Sequence, residues 1–223
     1  EDVRWHKGII ANPNCSTIQM VVALKPLHDA GVIKRLIVST YQAVSGAGKE
    51  AIDELTEQVS SIVKGEEAVA KVFPYQIAFN LIPHIDKFLE EDYTKEEMKM
   101  VWETQKIMHA PDMKICATTV RVPVYRSHSE SINIELEKNI TPDEARALFA
   151  KAPGIIVIDD PANLKYPMPL FASDTDEVYV GRIRRDISCD KGLAFWVVAD
   201  QIRKGAATNS IQIAELLIQE NLL

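Results

Sequence analysis

Three side chains in this sequence have the types and spacing for nucleophilic and acid–base chemistry. Cys15 closes the run Gly8-Ile9-Ile10-Ala11-Asn12-Pro13-Asn14-Cys15-Ser16-Thr17. The apolar residues 8–11 read as a strand, Pro13 biases Asn12 toward extended geometry, and Asn14 is a good helix N-cap. Helical spacing of Ile18, Val21 and Val22 follows. A thiol at the positive end of a helix dipole is stabilised as thiolate, so the expectation is a lowered Cys15 pKa. The competing reading is a buried structural cysteine, since free Cys is among the most buried types.

A thiolate nucleophile needs a base and an anchor for its substrate. Both are offered by Val120-Arg121-Val122-Pro123-Val124-Tyr125-Arg126-Ser127-His128. Strand parity sets Arg121 opposite Val120, Val122 and Val124, and its planar fork suits a carboxylate. His128 titrates near neutrality and would serve as the proton-moving partner of Cys15. Taken singly, an Arg in a strand is also an ordinary solvated residue, and a lone His an ordinary structural one.

The elements that must position these groups follow from periodicity and caps. A helix runs from about Ser16, kinked or ended by Pro26, with Gly31 beyond. Strands are expected within 32–41, 113–124, 131–136, 154–159, 177–183 and 193–199. An amphipathic helix covers 50–63, and a second opens at Thr94 with a Thr94/Glu97 capping box and reaches about Met108. A third starts at Thr141-Pro142, and the last covers 209–222. The proline-punctuated stretch 73–83 reads as an irregular packed or interfacial segment. Runs of strands with helices between them indicate an α+β sheet with helices on one face. Gly46-Ala47-Gly48-Lys49-Glu50-Ala51 fits a dinucleotide-binding glycine pattern, but no strand leads to a ribose-binding acid about 20 residues on. A glycine loop that lets backbone approach a substrate or a neighbouring subunit fits as well.

Composition narrows the function classes. The 223 residues are 47% hydrophobic and 26% charged, as in an ordinary soluble domain. A net charge of −7 argues against nucleic acid as partner. Cys15, Cys116 and Cys189 show neither disulfide nor metal-ligand spacing, so reduced, cytoplasmic thiols are expected and no metal. No signal peptide or membrane span is evident. Residues 1–7 begin abruptly and read as a fragment boundary or a processed product.

Asn-Pro-Asn-Cys-Ser-Thr, together with Ser39-Thr40-Tyr41-Gln42-Ala43-Val44-Ser45-Gly46-Ala47-Gly48, resembles the catalytic half of bacterial aspartate-semialdehyde dehydrogenases. The resemblance runs from about Gly8 to the C-terminus. It implies a mixed, mostly antiparallel sheet with helices on one face, like the catalytic domain of the glyceraldehyde-phosphate dehydrogenase superfamily. Residues 1–203 would be the catalytic and dimerisation domain, and 204–223 a helix packing toward an NADP-binding domain that this chain lacks. The implied activity is NADPH-dependent reductive dephosphorylation of aspartyl-4-phosphate to aspartate 4-semialdehyde, in lysine, threonine and methionine biosynthesis.

The resemblance also assigns roles. Cys15 is the nucleophile, His128 moves the proton, and Gln42 orients substrate near the thiol. Arg121 holds the α-carboxylate, Glu96 the amine and Lys99 the phosphate, with Asn14 in the same substrate-binding set; Asn209 contacts the nicotinamide. Gln201 departs from the asparagine expected in many relatives and receives no role. The implied partners are a small-molecule substrate and a second copy of the chain, with no nucleic acid and no membrane. The alternatives are another acyl-phosphate or aldehyde dehydrogenase of the superfamily and a non-catalytic dimerisation module. As an isolated piece, the chain is expected to be inactive and to bind NADP poorly.

Overall fold

The computed structural model describes residues 2–222. Helix α1 (Cys15–Gly31) opens as expected, because the Asn14 side chain accepts from the N–H groups of Ser16 and Thr17. It then passes through Pro26 instead of ending there. Proline inside a helix costs about 3 kcal/mol; here Leu24 and Leu27 on either side are fully buried and offset that cost. Strand β1 (Ile33–Gln42) follows, and α2 (Lys49–Val63) lies beyond a short turn at Val44–Ala47. Helix α3 (Lys95–Ile107) carries the full Thr94/Glu97 capping box.

Strands β2 (Lys114–Arg121) and β3 (His128–Leu136) come next, then α4 (Pro142–Lys151), capped by Thr141 with Pro142 in its first turn. The chain finishes with β4 (Ile155–Val157), the short α5 (Pro169–Ala172), β5 (Val178–Asp186), β6 (Gly192–Ala199) and α6 (Thr208–Gln219). A π-helical turn, Arg203–Ala207, leads into α6.

The six strands form one sheet in the order β2-β1-β3-β6-β5-β4. The β1/β2 and β4/β5 pairs are parallel, and β1/β3, β3/β6 and β5/β6 are antiparallel. This is the mixed, mostly antiparallel α+β sheet expected. Helices α1, α3 and α4 cover one face: Met20, Leu24, Leu27, Met100 and Phe149 pack on Leu36, Val38, Ile132, Phe195 and Val197. The other face is covered in part, Ile158 and Pro167 lying against Gly181 of β5, and on it Tyr41 and Trp196 meet at 5.4 Å above Ser129 and Ser131 of the intervening strand.

A second, smaller cluster joins α2 to the irregular stretch, through Val44, Ala51, Leu55, Ile77, Ala78 and Ile82. Backbone groups of that stretch have no full strand partner, so side chains of α2 supply bonds. Gln58 Oε1 accepts from the N–H groups of Ile77 (2.9 Å) and Ala78 (3.0 Å), and Glu54 Oε2 accepts from Lys71 and Val72. Ile82 then pairs with Arg121, its N–H donating to the Arg121 carbonyl at 3.0 Å. The expected strand at 8–11 does not form. No neighbouring strand runs beside these residues, and Ile9 is 89% exposed. No helix among the described residues is long and apolar enough to cross a membrane.

Candidate active site

The C-terminal ends of β1 and β2, the start of β3 and the N-terminal turns of α1 and α3 meet at one end of the sheet. Asn14 organises that meeting. Its Oδ1 caps α1, its Nδ2 donates to Glu96 Oε1 at 2.8 Å, and its backbone N–H donates to Glu103 Oε2 at 2.7 Å. Gln42, the last residue of β1, donates to Ser16 Oγ (2.8 Å) and to the same Glu96 oxygen (3.3 Å). Lys99 Nζ lies 3.2 Å from Glu96 Oε2 and 3.1 Å from Asp86 Oδ2. Burial opposes the Lys99 charge, yet these two carboxylates raise its pKa above the ordinary value.

Arg121 is buried at the end of β2. Its Nη1 donates to the Ala43 carbonyl at 2.7 Å, and its guanidinium lies 5.8 Å from the Phe73 ring centroid. Among the described residues no carboxylate lies within ion-pair distance of it. Burial lowers its pKa while the nearby Cys15 and Glu96 act to raise it; an arginine stays charged regardless.

His128 is wholly buried at the start of β3. Its Nδ1 accepts from the Ala43 N–H at 3.1 Å. Burial first, then the Arg121 charge, push its pKa well below the usual histidine range. The ring is therefore neutral with its proton on Nε2, and that Nε2 has no partner within the described residues. As it stands, His128 is a hydrogen-bond donor at Nε2. It makes no hydrogen bond to Cys15.

The expectation of a lowered Cys15 pKa is overturned: the half-buried thiol is pushed up to about 12. Burial contributes most, followed by the Glu96 carboxylate, against smaller downward effects of Ser16 and Arg121. The helix start does act in the expected direction, through the Ser16 N–H and hydroxyl, but by less than burial and Glu96 push the other way.

The structure thus gathers Asn14, Cys15, Gln42, Glu96, Lys99, Arg121 and His128 into one site. Asn209 stands at its rim, in the first turn of α6 rather than capping it. Its Nδ2 donates to Asn12 Oδ1 at 2.7 Å, on the segment leading to Cys15, and its Oδ1 accepts from Lys204. Cys116 and Cys189 lie outside the site, and the described residues hold no metal-binding cluster.

Several contributors carry no strong signal in the sequence. Glu103 lies seven residues beyond Glu96 on α3, a spacing that puts both on one face. Gly46 is the glycine of close approach. A Cβ there would stand 2.9 Å from Arg121 Nη1, 3.1 Å from His128 Cε1 and 3.2 Å from His128 Nε2. Gly205 presses on the thiol residue in the same way, its notional Cβ 3.2 Å from Cys15 Cβ. Gln201 does have a role here. It donates to Ser45 Oγ at 2.5 Å and accepts from Ser127 N–H at 2.8 Å, tying the Gly46 turn to the loop before His128.

A family model described as "Semialdehyde dehydrogenase, dimerisation domain" matches residues 24–204. The chain belongs to this family. Among relatives of the semialdehyde dehydrogenase domain, the aspartate-semialdehyde dehydrogenase of Aquifex aeolicus is 62% identical over 226 residues, covering all of this chain and 66% of that protein. The crystal structure of aspartate semialdehyde dehydrogenase II complexed with ASA, from Vibrio cholerae, superposes with a TM-score of 0.92 at 50% identity, over 95% of this chain and 62% of that one. The Candida albicans aspartate semialdehyde dehydrogenase with NADP superposes with a TM-score of 0.72 at 27% identity, over 96% of this chain and 59% of that one. The chain therefore spans just under two thirds of the length of these relatives.

Proposed function

We propose that this chain is the catalytic and dimerisation part of an aspartate-semialdehyde dehydrogenase acting on aspartyl-4-phosphate. The observation that carries the reading is the polarity of the site around Cys15. On one side stands a buried guanidinium without a carboxylate partner among the described residues, on the other a buried carboxylate held by two amides and the Lys99 ammonium. Such a site is complementary to a small molecule bearing a carboxylate and an ammonium group. Arg121 would take the first and Glu96 the second, with Asn14 and Gln42 keeping Glu96 oriented. Lys99 Nζ would meet the phosphate. The family relatives of this name support the assignment.

In the reductive direction, Cys15 Sγ bonds to the acyl carbon. The C–O bond to phosphate breaks, and phosphate leaves with that electron pair and the thiol proton. NADPH, when bound, supplies the hydride that reduces the thioester carbon. His128 Nε2–H is suited to donate to the oxygen on that carbon while negative charge develops there. The C–S bond then breaks, the aldehyde departs, and Sγ regains a proton from solvent. Asn209, at the rim, would meet the nicotinamide end of the dinucleotide. The exposed face of α6, with Ile211, Leu216 and Ile218, would pack toward the part of the whole protein that holds the rest. A second copy would pair through the sheet face around Tyr41 and Trp196 and through the 73–83 stretch, where Phe79 and Leu81 are exposed.

The full-length protein should reduce NADP in the presence of aspartate 4-semialdehyde and phosphate, and Cys15→Ser should abolish this. Turnover of glyceraldehyde 3-phosphate or N-acetylglutamate semialdehyde in its place would assign the site to another dehydrogenase of the superfamily. No turnover of any aldehyde would leave a dimerisation module.

A further inference from the structure

Below the site, on the helix-covered face of the sheet, a row of polar side chains crosses neighbouring strands. Thr119, Thr40 and Glu130 are register partners on β2, β1 and β3. Each is buried, and Thr119 Oγ1, Thr40 Oγ1 and both Glu130 carboxyl oxygens lack a hydrogen-bond partner within the described residues. Glu130 is wholly buried, and among the described residues no cation lies in ion-pair distance of it. Gln19 of α1 faces it from above; its Oε1 is also buried without a partner, while its Nε2 donates to the His128 carbonyl at 3.3 Å.

Two acceptors, the Glu130 carboxylate and Gln19 Oε1, would repel each other if both lacked a proton. One proton on Glu130 satisfies both, and burial favours it by raising this carboxyl pKa well above the usual range, outweighing the lowering effect of the adjacent Gln19 amide. Gln19 lies one helical turn after Cys15, and Glu130 two residues after His128 on the same strand. We propose that Glu130 is a positioning residue: its carboxylic acid donates to Gln19 Oε1, fixing the turn of α1 that carries Cys15 against the strand that carries His128. The Gln19 amide is thereby oriented to hold the His128 backbone. Glu130 itself touches no reacting atom.

The effect on turnover rests on the function proposed above, so the test includes readouts that do not. In the full-length protein at pH 7, an infrared difference spectrum of wild type against Glu130→Gln should show a protonated-carboxyl C=O band. Glu130→Gln keeps a donor and should retain kcat within about threefold, whereas Glu130→Met and Gln19→Met should each lower it on the order of 10- to 100-fold with little change in KM. The double Met variant should be no worse than either single one, because both break one link. The alkylation rate of Cys15 by iodoacetamide should differ from wild type in the Met variants and not in Glu130→Gln. A carboxylate in place of the acid band, full kcat in Glu130→Met, or equal impairment by Gln and Met would each overturn the proposal. A wild-type protein inactive on aspartate 4-semialdehyde would count against the proposed function alone, leaving the infrared and alkylation results to decide here.

Discussion

Asn14 Nδ2 lies 2.8 Å from Glu96 Oε1 while Asn14 Oδ1 caps the helix of the thiol. One amide therefore links the start of α1 to the buried carboxylate of α3. The amide does both with separate atoms, since the cap needs an acceptor and Glu96 needs a donor. Asn14→Asp keeps the cap but sets two carboxylates against each other; Asn14→Ala removes both contacts. A neutral cap lost to Ala costs typically about 1 kcal/mol. Both variants should melt below wild type, with Asn14→Asp recovering as the pH falls and Asn14→Ala not. Thermal melts at pH 5 and pH 8 check this; equal Tm shifts at both would separate the cap from the carboxylate.

Cys15 should alkylate slowly in the free protein. With its pKa pushed up to about 12, its iodoacetamide rate should still be climbing above pH 10, and exposed Cys116 should be labelled ahead of it near neutrality. Glu96→Gln removes the second cause of the rise and should speed Cys15 alkylation at fixed pH. Peptide mapping against time reads both outcomes.

Gly46→Ala should damage the site more than the fold. The added carbon meets Arg121 and His128, not the core, and displacing such groups by a fraction of an ångström costs on the order of tenfold or more in rate. The expected pattern is a kcat/KM loss of that size with a Tm shift of only a few degrees. Unchanged kinetics would mean that the two side chains can move aside without consequence.

Stability should respond to pH through two buried groups with opposite signs. His128 stays neutral when folded, so below about pH 6.5 the unfolded chain binds the extra proton and stability falls as the pH drops. Glu130 keeps its proton when folded, so above about pH 4.5 the unfolded chain releases it first and stability falls as the pH rises. Glu130→Gln removes the second effect alone. Its stability relative to wild type should therefore increase from pH 5 to pH 8 in urea titrations.

What was legible in the sequence was what local chemistry decides. Asn14 as a cap, the Thr94/Glu97 box, Thr141 as a cap with Pro142 after it, and the parity of Arg121 depend on residues a few positions apart. The site set itself came from a family resemblance, and the structure brings those residues together with Asn209 at the edge. The failures came from long-range effects. Residues 8–11 have strand composition but no strand to pair with, and Pro26 sits in a helix because its neighbours reach a core built from distant strands. The helix end by itself points to a lowered Cys15 pKa. Glu96, remote in sequence, and burial outweigh that dipole. Gln201 had no local signature, because its partners Ser45 and Ser127 lie far away along the chain.

Gln201 reinforces a junction of two loops remote in sequence, which also meet through the Val44 N–H on the Val124 carbonyl (2.8 Å) and the Ser45 N–H on the Tyr125 carbonyl (3.3 Å). Ser127, next to His128, holds a left-handed backbone at φ 71°, with its N–H on Gln201 and its hydroxyl 2.9 Å from Ser173 Oγ. Local opening of either loop must release the same amide, so the two cannot fluctuate independently while it is bonded. In hydrogen–deuterium exchange, peptides spanning 43–48 and 122–128 should gain mass with matched opening energies, and Gln201→Ala should raise both together.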